Sequence, residues 1–307
     1  MPRSIYTDLA MEARELNPKL PGVREEVRTL EDITVTTIRV ETQEAAKRLQ
    51  KPCGEYITLD APDLALRPLD LFERVSKQLA QQIRELMPEL KEGAQVLVIG
   101  LGNRFITPDA LGPRVVEQVF VTRHILEYMP EILEGNPRAV AAFAPGVLGL
   151  TGVETLEVVQ GVVERVKPAL VIAVDSLASR RANRISTTIQ LTDTGIEPGA
   201  GVGNLRQGIN RETLGVPVIA LGVPMVVYAS TITQDTISLI AEQTQLGTDE
   251  QTLLDLAEKV IHDHFGPMIV TPKDIDSIVR DMSQILADGL NMALMDTHYE
   301  QVRMLVQ

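Results

Sequence analysis

Two aspartates occupy positions in which carboxylates commonly do chemistry. Asp175 directly follows the apolar run 169–174, which predicts a strand buried on both faces of a parallel sheet. Asp109 follows Pro108, beyond a second such run at 95–99, at the predicted start of a helix. Ligand sites in open parallel sheets form beyond the carboxyl ends of the strands. Both acids therefore lie where a site is expected.

Taken one at a time, these acids also have structural explanations. Asp109 can be a helix-start residue, because a helix N-terminus stabilises a carboxylate. Asp175 can be a strand-end acid that is paired or hydrated, since an isolated buried charge is costly. The two acids meet only if their strands are neighbours in the sheet.

Two carboxyl groups that share a site can hydrolyse a peptide bond. At close range both do not easily ionise, so one keeps a proton while the other activates water. A divalent cation held by the oxygens of Asp109 and Asp175 is an alternative use of the same side chains. None of the four histidines lies in a strand-end loop, which leaves a zinc site without support. We expect no cofactor, and the cation stays open as an alternative.

Glycine-rich segments after the strands are the candidate substrate-binding loops. The first contains Gly100 and Gly102 like a dinucleotide turn, but Phe105 replaces the third glycine of that motif. The loop 193–204 can lay its backbone beside an extended peptide, or it can be only a mobile turn. The residues of these loops with a predicted role in substrate binding are Asn103, Thr107, Gly199, Gly201, Gly203 and Asn204.

Composition narrows the class of protein. Apolar residues make up 44% and charged residues 23% of the 307 positions, as in packed globular proteins. A formal net charge of −13 argues against a nucleic-acid partner. Cys53 is the only cysteine, which suits a reducing cytosol. The chain starts with no signal peptide, and its longest apolar run, 216–229, is too short to span a bilayer. We expect a soluble, cytoplasmic protein with no membrane partner.

Apolar periodicity predicts the elements that position these residues. Strands are predicted at 33–40, 55–59, 95–99, 140–143, 169–174, 186–191 and 216–221, and helices at 68–87, 109–129 and 153–166. Their alternation predicts an α/β fold, a mainly parallel twisted sheet flanked by helices of the phosphorylase/hydrolase-like kind. We expect a single domain, 1–307, with an N-terminal mixed segment 9–66, a core 67–230 that carries the acids, and a helical C-terminal segment 231–307.

Long motifs follow one another along most of the chain. They lie at 98–103, 107–113, 144–155, 173–180, 188–195, 198–204, 212–220 and 270–291. Together they resemble the germination proteases of spore-forming bacteria. The resemblance implies an unusual aspartic-type endopeptidase that degrades small acid-soluble spore proteins, distantly similar in fold to hydrogenase maturation proteases. It assigns the catalytic roles to Asp109 and Asp175, and it implies a homotetramer in the cytoplasm of the developing spore core.

The same resemblance gives the N-terminus a role. Residues 7–12, Thr-Asp-Leu-Ala-Met-Glu, are similar to the family's self-processing site, which imitates the acid–apolar–Ala–x–Glu site of the spore proteins. It predicts cleavage between Asp8 and Leu9 and a propeptide of residues 1–8. This leader is shorter than is usual in the family, and Tyr228 stands where an aspartate is expected. The rival interpretations are a metal-dependent hydrolase that uses the same acids and a non-catalytic peptide-binding homologue.

Overall fold

The computed structural model of the chain describes residues 7–133, 135, 137–197, 207–244, 260 and 268–306. The strands of this part are β1 (Val23–Leu30), β2 (Ile33–Val40), β3 (Gly54–Asp60), β4 (Gln95–Gly100), β5 (Ala139–Phe143), β6 (Leu170–Ser179), β7 (Thr188–Thr192), β8 (Val218–Tyr228) and β9 (Ile269–Val270). They form one sheet in the order β1-β2-β3-β7-β8-β6-β4-β5, and β9 pairs with β8.

Helices cover this sheet and connect its strands. The α-helices of the described residues are α1 (Ala10–Leu16), α2 (Gln43–Leu49), α3 (Leu69–Leu86), α4 (Leu111–Val116), α5 (Arg123–Tyr128), α6 (Leu148–Thr151), α7 (Thr155–Val166), α8 (Arg211–Leu214), α9 (Ala229–Thr244), α10 (Ile275–Met295) and α11 (Tyr299–Val306). The predicted α/β class, a sheet flanked by helices with a helical C-terminus, is confirmed. The prediction of a mainly parallel sheet is wrong, because five of the eight strand pairs of the described residues are antiparallel.

Parallel pairing is concentrated in one half of the sheet. It joins β5 to β4, β4 to β6 and β6 to β8. The remaining pairs, from β1 through β2, β3 and β7 to β8, and β8 with β9, are antiparallel. Strands β4 and β6, which lead to the two aspartates, are therefore direct neighbours. Because these strands are neighbours, Asp109 and Asp175 can lie close together, as the predicted site requires.

The larger hydrophobic core lies between one face of the sheet and helices α3, α4 and α10. Helix α3 buries Leu71, Val75, Leu79 and Ile83, the apolar stripe that the spacing at 68–87 predicts. Helix α10 packs closely on α3, because a Cβ atom added to Gly289 would come within 2.7 Å of Leu79 Cδ2. This face is closed by apolar side chains.

On the opposite face, the described residues form two smaller apolar clusters. Helices α1 and α2 pack on β2 and β3 in one cluster, and α7 packs on β4 and β6 in another. Between them, one residue from each of four adjacent strands lies in register: Thr58, Gln190, Gly222 and Asp175. Paired residues of neighbouring strands point to the same side of a sheet, so these four share this face. We call them the polar row.

The predicted helix at 109–129 is wrong. The chain instead forms a 3-10 turn at Thr107–Asp109, the short helix α4, and then α5. Thr122 interrupts the helix because its backbone N–H and side-chain hydroxyl both bond to the strand β5 region, at Val140 and Arg138. These sheet contacts outweigh the helical periodicity of the sequence.

Strand β6 is longer than predicted, which changes the setting of Asp175. The strand continues to Ser179, paired with β8, whereas its pairing with β4 ends at Val174. Asp175 is therefore inside a strand, at the first position where the β4 side of that strand is open. Strand β1 and helices α1 and α2 were not predicted. Most of β1 is exposed and charged, so it lacks the apolar pattern that marks the other strands.

Candidate active site

Close backbone packing holds Asp109 beside the end of β4. Gly102 has a φ of 109°, and a Cβ atom there would lie 2.0 Å from the carbonyl oxygen of Asp109. The backbone N–H of Asn103 donates to Asp109 Oδ2 at 2.7 Å. Asp109 thus ends a 3-10 turn and does not begin an α-helix. Its carboxylate is fixed by the backbone of the glycine-containing loop that follows β4.

Asp175 is buried beside it. The carbonyl oxygen of Val174 accepts from the N–H of Leu101, at 2.8 Å, which ties the end of β4 to the residue before Asp175. Burial raises the pKa of Asp175 well above its ordinary value, and the charges of Asp109 and Asp8 raise it further. The N–H of Ser176, which donates to Asp175 Oδ1 at 2.8 Å, acts against this shift. The site therefore contains a carboxyl group that tends to keep its proton, next to a second carboxyl group.

The N-terminal segment lies at this site. The N–H of Asp8 donates to the carbonyl of Ala178 at 2.9 Å, and the N–H of Ala178 donates to Asp8 Oδ2 at 2.7 Å. Ala178 is in β6, three residues beyond Asp175. The charge of Asp8 is also one cause of the raised pKa of Asp175. Asp8, the first residue of the predicted self-processing bond, is thus bound to the strand that carries Asp175, close enough for its charge to act on that acid.

Gln190 of the polar row holds the backbone on both sides of the Asp8–Leu9 bond. Its Nε2 donates to the carbonyl oxygen of Asp8 at 3.0 Å, and its Oε1 accepts from the N–H of Ala10 at 2.7 Å. Lys51 Nζ donates to the carbonyl of Thr7 at 3.1 Å. Burial lowers the pKa of Lys51, against the attraction of Asp8 and other acids. Gln190 and Lys51 thus bind the main chain of this segment.

Glu12 anchors the same segment through its side chain. Its two carboxylate oxygens accept from the backbone N–H groups of Arg180 and Arg181, at 2.7 and 2.9 Å. These two residues lie just beyond the end of β6. Arg184 Nε lies 3.3 Å from Glu12 Oε1, and the Thr7 hydroxyl also donates to this carboxylate. Glu12 is fully buried. A buried carboxylate is tolerated here because charge-assisted hydrogen bonds and an arginine surround it.

The other residues with a predicted binding role are placed differently. Thr107 Oγ1 donates to Asp276 at the start of α10, at 3.0 Å. Asn103 contributes its backbone N–H to Asp109, while its side chain accepts from Phe105. The positions Gly199, Gly201, Gly203 and Asn204 lie outside the described residues.

Tyr228 lies close enough to the N-terminal segment to be affected by it. Burial and the charge of Asp8 raise the pKa of Tyr228 to about 12. The departure from the family pattern at this position is therefore located near Asp8, at the end of β8.

Sequence reasoning missed Gln190 and Lys51. The available signal for Gln190 was a polar residue between Ile189 and Leu191, in a predicted strand whose neighbours are buried. Lys51 follows a helix in a turn and carries no such signal. Among the described residues, no group of three or more His, Cys, Asp or Glu side chains could hold a metal ion. No helix of the described part of the chain is both long and apolar enough to cross a membrane.

The family model and the relatives found by sequence agree on one family. The family model described as germination protease matches residues 2–252. A germination protease of Caldanaerobacter subterraneus is 48% identical, with 94% of each chain covered, and that of Bacillus subtilis is 38% identical, with 94% of this chain and 93% of the relative covered. A solved NiFe hydrogenase maturation protease from Thermococcus kodakarensis covers 68% of this chain and 98% of its own, at 15% identity and a TM-score of 0.34. The chain is a peptidase and belongs to the germination protease family.

Proposed function

We propose that this peptidase degrades small acid-soluble spore proteins with Asp109 and Asp175, and that it first cuts its own Asp8–Leu9 bond. One observation carries the proposal. The segment that resembles the spore-protein cleavage site is bound beside the acid pair, with the carbonyl of Asp8 held by Gln190 and the charge of Asp8 acting on Asp175. The proposal is supported because Asp8, which carries the carbonyl of that bond, acts by its charge on Asp175.

The raised pKa of Asp175 supports a division of roles between the two acids. The ionised carboxylate of Asp109 takes a proton from water, and the water oxygen attacks the carbonyl carbon. Asp175, which keeps its proton because it is buried next to other acids, gives that proton to the leaving nitrogen. The C–N bond breaks, and a carboxylic acid and an amine are formed. The proton taken by Asp109 is then available to restore Asp175.

The bound segment also describes the proposed substrate. Its acid, apolar residue, alanine and second acid are Asp8, Leu9, Ala10 and Glu12. Leu9 and Ala10 are fully buried, and the Glu12 carboxylate is held by two backbone N–H groups and Arg184. A spore protein with the same spacing of acidic and small apolar residues has the same side chains to bind at these positions of the site. From the family we further propose a zymogen, a homotetramer and a location in the developing spore core.

The test is digestion of a synthetic peptide with the sequence Thr-Asp-Leu-Ala-Met-Glu, flanked by spore-protein residues. The wild-type enzyme should cut it after the aspartate, and Asp109→Asn and Asp175→Asn should not. If both variants cut at the wild-type rate, the two-aspartate proposal is wrong. A parallel digest with a chelator separates the shared-proton mechanism from a metal-dependent one. If the chelator inhibits cleavage and added divalent cation restores it, the mechanism is metal-dependent.

The oligomer proposal has its own measurement. Light scattering on a size-exclusion column should give a mass of four chains, and a monomer mass would contradict it.

A further inference from the structure

We propose that Gln190 is a catalytic residue of self-processing, because its Nε2 donates to the carbonyl oxygen on which negative charge develops. This inference rests on the proposed function, in which Asp109 and Asp175 cut the Asp8–Leu9 bond. The observation is the pair of hydrogen bonds that one side-chain amide makes across that bond, to Asp8 O at 3.0 Å and from Ala10 N at 2.7 Å.

The orientation of the Gln190 amide follows from its partners. Ala10 N–H can only donate, so the amide oxygen must face it, and the amide nitrogen must then face the carbonyl oxygen of Asp8. Gln190 is buried, which limits competition from water. The same carbonyl-bearing residue is fixed from the other side by two hydrogen bonds to Ala178. The peptide is therefore held in one position relative to the amide.

Gln190 and Asp175 lie on either side of Gly222 of β8. Both pair with Gly222 of β8, so their side chains emerge on the same face, about 9–10 Å apart at their Cα atoms given two strand spacings. The space above Gly222 is filled by the Leu177 side chain, because a Cβ atom at residue 222 would come within 2.6 Å of Leu177 Cγ. Asp8, bonded to Gln190, also acts by its charge on Asp175.

The chemistry gives the amide a defined task. When water adds to the carbonyl carbon of Asp8, the C=O π bond breaks and its electron pair moves to the carbonyl oxygen. The Nε2–H of Gln190 already points at this oxygen and strengthens its hydrogen bond as the charge grows. When the C–N bond to Leu9 breaks, the electron pair returns to re-form the carbonyl, and the leaving nitrogen takes a proton from Asp175. Both hydrogen bonds of the Gln190 amide to this segment go to main-chain atoms, so the amide positions the bond independently of the side chains around it.

A purely structural role, in which Gln190 only docks helix α1, makes different predictions. The first test compares self-processing of Gln190→Leu with that of Thr58→Val, which removes a buried hydroxyl from the neighbouring position of the polar row. Intact mass followed over time measures the loss of residues 1–8. We expect Gln190→Leu to process roughly 100-fold more slowly than wild type, the usual cost of one oxyanion donor, and Thr58→Val to process normally.

Hydrogen exchange of α1 separates a catalytic from a structural loss. Gln190→Leu with slowed processing and wild-type protection of the α1 amides supports the proposal. Slowed processing with unprotected α1 amides would assign Gln190 to docking alone and overturn it. Processing within about threefold of wild type, far less than a donor is worth, would also overturn it. If Asp175→Asn processes normally in the same experiment, the proposed two-aspartate function fails instead.

A second variant covers the case in which Gln190→Leu does not fold. Gln190→Glu keeps the shape and the acceptor for Ala10, and its carboxyl group regains a donor when it is protonated. Its rate, divided by the wild-type rate at each pH, should therefore rise as the pH falls. A ratio that stays constant with pH would contradict a donor role.

Discussion

Two rows of residues cross the same four strands, one position apart. The polar row is Thr58, Gln190, Gly222 and Asp175, and the adjacent row is Ile57, Leu191, Leu221 and Val174. The second row faces helices α3, α4 and α10 and belongs to the main core, with each side chain at most 2% exposed. The first lies on the other face, between the two smaller apolar clusters, where the N-terminal segment binds to Gln190.

This comparison shows how one sheet serves two purposes. Alternation along a strand sends successive side chains to opposite faces, so a single shift of register would exchange the two rows. The apolar row fixes that register through burial. The polar row can then carry groups that contribute little to stability, such as a glycine and a carboxyl group that resists ionisation. Stability and the proposed chemistry are assigned to opposite sides of the same backbone.

The largest effect should come from the acids. Asp175→Asn and Asp109→Asn remove the proposed proton donor and the proposed base, so peptide cleavage should fall by at least about 100-fold each. The measurement is the initial rate of peptide digestion. Circular dichroism should show that both variants are folded. A rate within a few-fold of wild type would show that the two acids are not catalytic.

A substitution in the apolar row should act on stability. Leu191→Ala removes a fully buried side chain from the main core and should lower the free energy of unfolding by about 2–5 kcal/mol. Urea unfolding measures it, with Asp109→Asn present in both proteins so that neither cuts itself. A loss below about 1 kcal/mol, less than Leu→Ala costs in a packed core, would mean that this row does not hold the register.

The raised pKa of Asp175 predicts that Asp175→Asn changes stability less than Leu191→Ala does, and in the stabilising direction. Its pKa is raised in the folded protein, chiefly by burial, so the folded state loses stability as the pH rises from the ordinary carboxyl value through the raised one. Asp175→Asn removes this loss and should increase stability at neutral pH, with Tm rising about 2–4 °C for each kcal/mol regained.

The same substitution should have little effect in acid. Below the ordinary pKa of an aspartate the wild-type carboxyl is neutral in both states, so the two melting curves should converge. Both proteins carry Asp109→Asn in this comparison, and burial, the main cause of the shift, is kept. A variant that is less stable than its parent at neutral pH would show that the Asp175 carboxylate is favourably paired.

The smallest effect is expected at the far end of the polar row. Thr58 is buried, and its hydroxyl has no hydrogen-bond partner among the described residues. Thr58→Val keeps the shape and removes an unsatisfied group, so stability should change by less than about 1–2 kcal/mol, in the stabilising direction. Urea unfolding checks this. A large loss would indicate that the hydroxyl is bonded and that the row is more connected than its contacts show.

The acids and the strands that carry them were predictable from sequence because their signals are local. Apolar runs marked β4 and β6, and glycines and acids marked the segments that follow. The length of β6 was not predictable, since its extension to Ser179 depends on pairing with a distant strand, β8. The interruption of the helix after Asp109 was not predictable for a related reason. It depends on hydrogen bonds of Thr122 to Val140 and Arg138, which are distant in sequence.

The role of Gln190 depends on contacts that sequence spacing does not contain. It binds residues about 180 positions earlier in the chain, at Asp8 and Ala10. The resemblance of residues 7–12 to a cleavage site indicated that this segment matters, but not where it binds. Only the fold places it across the polar row.

The most direct test of the account is the intact mass of the purified chain before and after mild acidification, for wild type and Asp175→Asn side by side. The account predicts that the wild type loses residues 1–8 and begins at Leu9, whereas Asp175→Asn keeps its full mass under the same conditions. Loss of the same eight residues from Asp175→Asn at the wild-type rate would contradict it.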